Sequence, residues 1–257
     1  MIFINIEPRD VQVIAFRKMK IAVLKTIRAI ARRGEVNFFK KACFSLFAAT
    51  IMAVALIGCD SGRKNLMIMS TERGRVDIEL AGSGKITIDW GDGTVENHTL
   101  PKNVDGDYVT FTRIYNSRSY RTIKITGNNI TKLNCDDNEL ISLDISKNSA
   151  LIELICEENQ LTSLDVSKNS ALIVLICEEN ELSSLDVSQN SALKVLDCSE
   201  NQLTGAALNA LFETLHSNSG DKTIFIGMNP GEDDCDHSIA TNKEWKVYYS
   251  RWLFEFP

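Results

Sequence analysis

The side chains with chemical reach are few and mostly in settings that give them nothing to do. His98, His216 and His237 lie far apart, and none stands in a His-Glu-x-x-His, Cys-x-x-Cys or Gly-x-Ser-x-Gly arrangement. Adjacent carboxylates at Glu157–Glu158 and Glu178–Glu179 are of the right type for an acid and a base. An open sheet edge, however, excludes no water and does not separate their pKa values. Two acidic clusters, Asp92 with Asp105 and Asp107, and Asp233, Asp234 and Asp236 beside Cys235, offer the oxygen ligands that calcium prefers. Turn chemistry for the first and a solvated acidic loop for the second are the readings favoured here. Gly82-Ser-Gly-Lys85 carries Glu at position 79 and Ile at 86, which rules out a phosphate-binding loop. The expectation is a protein with no catalytic residue, no metal and no cofactor: not an enzyme.

The residues with the most regular spacing are cysteines. Cys135, Cys156, Cys177 and Cys198 recur every 21 residues, each followed three positions later by Asn138, Asn159, Asn180 or Asn201. Such a period means stacked coils. Each coil divides into a half of ten, Leu154-Ile-Cys-Glu-Glu-Asn-Gln-Leu-Thr-Ser163, and a half of eleven, Leu164-Asp-Val-Ser-Lys-Asn-Ser-Ala-Leu-Ile-Val174. Both share one skeleton: Leu, then Cys or Val, then Leu pointing inward, with an inward Asn that pairs the amides and carbonyls of a bend. Two short parallel strands per coil are expected, one on each side of a flattened solenoid. Neighbouring rungs are about 4.8 Å apart, wider than the ~3.8 Å a disulfide needs between Cβ atoms. The column therefore reads as buried free thiols, with Cys135 in the irregular first coil the place for an exception. One coil cannot bury its leucines alone, so both ends need caps. These rows resemble bacterial leucine-rich repeat proteins of the nested 21-residue kind, and the resemblance implies a solenoid that binds other molecules.

Ahead of the repeats lie two further segments. Lys40 and Lys41 precede an uncharged run, Ala42 to Gly58, that stops at Cys59 and turns polar at Asp60, as a signal peptide does. Leu56-Ile-Gly-Cys59 resembles the lipobox of bacterial lipoproteins, which implies lipidation at Cys59 and a mature chain without residues 1–58. A transmembrane anchor is the competing reading. Residues 1–35 are too long for a signal peptide; translation from near Val36 and a basic membrane-surface helix over Arg17–Arg33 are the two accounts of them. From 65 to 126, Val76–Leu80, Lys85–Asp89, Tyr108–Tyr115 and Tyr120–Thr126 alternate apolar and polar residues between turns, the pattern of a small antiparallel sandwich. Trp90-Gly-Asp-Gly-Thr94 and the segment Tyr115–Thr126 resemble PKD-type immunoglobulin-like domains. After Asn201 the repeat dissolves: Leu208, Leu211, Phe212 and Leu215 follow helical spacing, and strands at Thr223–Ile226 and Trp245–Tyr249 complete an α/β cap.

The fold class is therefore mainly β, divided into a leader over 1–59, a PKD-like β-sandwich over 60–127, leucine-rich repeats over 128–204 and a cap over 205–257. Residues 1–59 hold 10 basic and 3 acidic residues, which leaves 18 basic against 31 acidic beyond them. So acidic a body repels phosphate backbones, and nucleic acid is excluded as a partner. Asp144, Asp165 and Asp186 repeat without change and read as structural. The ten-residue side varies between coils: Lys132, Glu153, Val174, Val195; Asn134, Ile155, Ile176, Asp197; Asp136, Glu157, Glu178, Ser199. Glu153, Ile155, Glu157, Val174, Ile176 and Glu178 are thus expected to form an exposed apolar patch with an acidic rim, a protein-binding surface. A glycan ligand and a purely structural envelope role are the alternatives; against the first, residues 133–203 hold no Phe, Tyr or Trp. The expected location is the bacterial cell envelope, lipid-anchored at the outer membrane or cell surface.

Overall fold

Alternating apolar positions between turns should build antiparallel strands, and they do. The computed structural model describes residues 65–102 and 107–249. Its first five strands are β1 (Leu66–Thr71), β2 (Arg75–Asp89), β3 (Val95–Leu100), β4 (Val109–Ile114) and β5 (Arg121–Asn134). β2 pairs antiparallel with β3, β4 and β5, and β1 with β5. The segments expected as separate strands at Val76–Leu80 and Lys85–Asp89 are one 15-residue strand. Its register shifts at Ala81/Gly82 and Ser83/Ile86, where Gly82 has φ +146° and any Cβ would lie 2.0 Å from the Asn129 carbonyl oxygen. A glycine that reads as a turn residue here permits a bulge instead. β1 and β3 stand outside the sequence pattern because β1 is apolar on both faces and β3 is a largely polar strand that, among the described residues, pairs only with β2.

One face of these strands carries the core. Val76, Ile78, Ile88, Trp90, Ile123 and Ile125 are fully buried. The Tyr115 hydroxyl donates to the Trp90 carbonyl at 2.8 Å, and the Arg121 guanidinium sits 3.8 Å above the Tyr115 ring, in the geometry of a cation–π contact. Burial, the larger cause, and Asp92 push the Tyr115 phenol up to about 12.

β5 runs past residue 127 without a break, and its last residues, Lys132 to Asn134, pair in parallel with β7 (Glu153–Ile155). From there the sheet continues in parallel through β8 (Val174–Ile176), β9 (Val195–Asp197), β10 (Lys222–Phe225) and β11 (Trp245–Tyr248). β6 (Leu140–Asp144) pairs antiparallel with β1, so β1 touches both halves of the first coil. The chain is mainly β, with two described helices, α1 (Gly205–Thr214) and α2 (Ser238–Thr241). Thr204 caps α1 by accepting the Ala207 amide at 3.3 Å, and Leu208, Leu211 and Phe212 are buried as their spacing predicts.

Two expectations need correction. The coils carry one strand each, not two: beyond β6, the described eleven-residue halves hold no strand of their own, and only their last residues, Glu153, Val174 and Val195, belong to a strand, as the first residues of β7, β8 and β9. Those halves turn instead of extending. Asp165 Oδ1 accepts the Ser167 amide at 2.9 Å, and the Asn169 and Leu172 amides each bond the carbonyl three residues back, on Val166 and Asn169. Nor does the repeat end at Asn201. Thr223, Ile224 and Phe225 pair with Val195, Leu196 and Asp197, so Ile226-Gly-Met-Asn229 occupies the place of Cys-Glu-Glu-Asn. Inserting α1 lengthens that coil and breaks the fixed period while the inward skeleton persists.

Inside the stack the cysteine and asparagine columns behave as their types require. Cys135, Cys156, Cys177 and Cys198 are fully buried and free, Cys135 included. Each thiol lies 3.2–3.5 Å from a carbonyl of the following rung, on Ile155, Ile176, Asp197 and Phe225. Asn159, Asn180, Asn201 and Asn229 each donate to the cysteine carbonyl of the preceding rung, on Cys135, Cys156, Cys177 and Cys198, at 2.9–3.0 Å. Their side-chain oxygens accept the amides of Leu140, Leu161, Leu182 and Leu203. At the first rung Asn138 does the same with β2: it accepts the Asp77 amide at 3.0 Å and donates to the Asp77 carbonyl at 2.6 Å. The antiparallel strands therefore meet the end of the ladder with the backbone groups that a further coil would have offered.

Candidate functional site

Three-residue strands at 21-residue intervals put every second side chain on the outer sheet face, and rung-to-rung pairing ranks those side chains in columns. Glu153, Val174 and Val195 are direct partners, as are Ile155, Ile176 and Asp197. The structure thus brings the six expected site residues onto neighbouring rungs of one face. It differs in their exposure: Ile155, Val174 and Ile176 are half-buried rather than exposed, and Glu178 is buried. Rungs about 4.8 Å apart leave branched side chains leaning on one another.

Glu153 is engaged. Its carboxylate meets Lys132 Nζ at 2.8 Å and accepts the Tyr108 hydroxyl at 3.1 Å, with the lysine 5.5 Å from the Tyr108 ring centre. Burial first, and then the Glu153 charge, push the Tyr108 phenol well up. With the Arg73–Asp137 pair and the 2.7 Å Arg118–Glu139 pair, it ties the N-terminal strands to the first coils. Glu153 therefore acts as a joint at the margin of the face.

The expected site leaves out other residues on or beside this face. Asp197 is fully buried, and its Oδ1 accepts the Ser199 amide at 3.1 Å and hydroxyl at 2.7 Å. Glu158, Glu179 and Glu200 hold left-handed backbone at φ 53°, 52° and 51°, one per rung. With Glu157 and Glu178 they line a recess of 220 Å³. The repeated acid at the fifth position of each ten-residue half was the available signal. At the far end, β10 and β11 bring Phe225 and Tyr248 onto the same face, stacked at 5.6 Å and 28°.

The other candidates stay dispersed. Asp92 binds Arg113 at 2.7 Å and accepts the Thr94 amide at 2.9 Å; Asp105 lies outside the described residues. Asp236 accepts the Ser238 amide at 2.9 Å in a turn. His98 rests on Phe111 and Glu96, His216 on the Leu193 carbonyl at 2.7 Å, and His237 on Phe212 and Tyr249. Among the described residues no group of three His, Cys, Asp or Glu side chains converges as a metal site would. Cys59 lies outside the described residues, and no described helix is long and apolar enough to cross a membrane.

No family model matches the chain, and no curated protein matches it. Among solved structures it is similar to the functional domain of InlJ from Listeria monocytogenes, described as including a cysteine ladder. The identity is 28%, over 49% of this chain and 27% of that one, with a TM-score of 0.36. The chain thus spans about a quarter of that protein's length.

Proposed function

We propose that the chain is a bacterial cell-envelope lipoprotein, anchored through lipid on Cys59, whose leucine-rich repeats bind a protein partner. The PKD-like N-terminal strands space the repeats from the membrane and cover one end of the stack. α1, β10, α2 and β11 close the other. One observation carries the binding role: the inward columns of Leu, Cys and Asn hardly vary, while the outward columns change from rung to rung between charged, apolar and small residues. Side chains held only by packing repeat; a face shaped to a particular surface does not.

Capture from cell and host extracts tests this reading. Ile176→Asp puts an unpaired carboxylate at the middle of the face and is expected to reduce capture about tenfold or more, without moving the unfolding midpoint by more than a few degrees. Equal capture by the variant and the wild type would show that the sheet face is not used. A second reading gains one feature from the structure, because the half-buried Tyr248 ring, backed by the buried Phe225, offers an aromatic surface of the kind on which sugars pack. Retention on a glycan array with no protein captured would select that reading.

The anchor has a separate test. Cys59→Ala is expected to move the protein from the membrane fraction to the soluble fraction, and wild type on intact cells to be shaved by added protease. A variant that stays with the membrane would replace the lipid with another anchor.

A further inference from the structure

Two acidic columns run along the repeats, and their surroundings differ. Asp144, Asp165 and Asp186 each accept the amide of the serine two residues on, at 2.8–2.9 Å. Those bonds hold the Asp165 carboxyl below its ordinary range. Glu158 and Glu179 are exposed and Glu200 half-exposed. Among the described residues no donor or cation is bonded to any of the three side chains. Their shared left-handed backbone points them alike, with rungs about 4.8 Å apart. Like charges ranked at that spacing repel by on the order of 1 kcal/mol per neighbouring pair in water. Beside them run the half-buried Ile155, Val174 and Ile176, and the body beyond residue 59 carries 31 acidic against 18 basic residues.

We infer that this face takes an extended, lysine- or arginine-bearing segment of a protein, its cations against Glu158, Glu179 and Glu200 and its apolar side chains on Ile155, Val174 and Ile176. The inference rests on the protein-binding reading and names the chemistry of the partner. Three rungs span about 10 Å, the length of three residues of extended chain, so a short segment reaches the whole column. Docked cations offset the repulsion that the aspartate column relieves through its serine amides, and the isoleucines supply the desolvated contact that gives such pairs their strength.

The test is calorimetric titration of the full chain with an alternating lysine–valine peptide of about ten residues, and with its glutamate-for-lysine counterpart. The lysine peptide is expected to bind and the glutamate peptide not to. The combined Glu158→Gln, Glu179→Gln and Glu200→Gln variant should weaken binding about tenfold, and raising salt from about 0.05 to about 0.5 M should weaken it comparably. Equal binding of the two peptides, or an unchanged affinity in the triple variant, overturns the inference. So does a lysine peptide that binds Arg251→Ala and not the wild type, which would assign the face to the chain's own residues 250–257. If extracts yield a partner whose capture depends on Ile176 but not on the three glutamates, protein binding stands and its basic character falls. If wild type captures nothing, both fall.

Discussion

Raising the pH from about 8 to about 10 under reducing conditions is expected to remove about 5 kcal/mol of folding stability through the cysteine column alone. All four thiols are fully buried, and burial, the largest cause in each case, pushes them above their ordinary value of 9.0. A thiol is neutral when protonated, so the folded state holds its protons in a range where the unfolded chain releases them. The stabilisation is complete below pH 9 and is lost as pH rises toward the folded-state values. Each thiol that ionises only on unfolding costs about 1.4 kcal/mol per pH unit above 9. Tyr108 and Tyr115, also raised, add a drop of the same sign at higher pH. Urea unfolding at the two pH values measures the loss. The Cys156→Ala, Cys177→Ala variant, less stable at pH 8, should show about half of the thiol-linked decrease. The same slope in wild type and variant would mean that the ladder thiols do not stay protonated in the folded chain.

The column was legible in the sequence because a buried rung constrains residue size and polarity at a fixed interval. Cysteine at every twenty-first position and asparagine three residues on are what identical backbone environments select. The same reasoning carried the helix at Leu208, Leu211 and Phe212, whose spacing alone sets its buried face. It failed where the period carried no information. Asp165-Val-Ser-Lys-Asn169 looks like a second strand because Leu164 and Val166 alternate, but its aspartate turns back to the Ser167 amide and ends the extension. Ile226-Gly-Met-Asn229 looks like a cap because α1 displaces it from the register, yet Asn229 continues the ladder to Cys198 at 2.9 Å. Of the face, the sequence disclosed which residues are neighbours across rungs. The engagement of Glu153 by Lys132 and Tyr108 was hidden, since Tyr108 lies 45 residues away and no local pattern connects them.

Asn180→Ala is expected to cost about 3 to 4 kcal/mol, more than removal of any surface charge pair. The side chain donates to the carbonyls of Cys156, Cys177 and Glu178 at 2.9, 3.3 and 3.1 Å and accepts the Leu161 amide at 3.0 Å. Alanine leaves the Leu161 amide dry and unpaired, and a buried orphan costs about 1 to 3 kcal/mol before the surroundings relax. The carbonyls of Cys156, Cys177 and Glu178 lose one bond and keep the Asn159 side chain, the Asn201 side chain and the Glu158 amide as partners. The second asparagine column provides the control. Asn190, equally buried, donates to the carbonyls of Val166 and Asn169 at 3.1 and 2.8 Å, and its side-chain oxygen has no partner among the described residues. Asn190→Ala deletes donors without stranding an amide, and its expected cost is about 1 to 2 kcal/mol. Both substitutions remove a similar volume from adjoining positions of the stack, so a size effect would make them equal. Chemical denaturation of the two variants separates the explanations. If Asn190→Ala proves as damaging as Asn180→Ala, amide satisfaction is not what the ladder contributes, and the columns hold the coils together by packing alone.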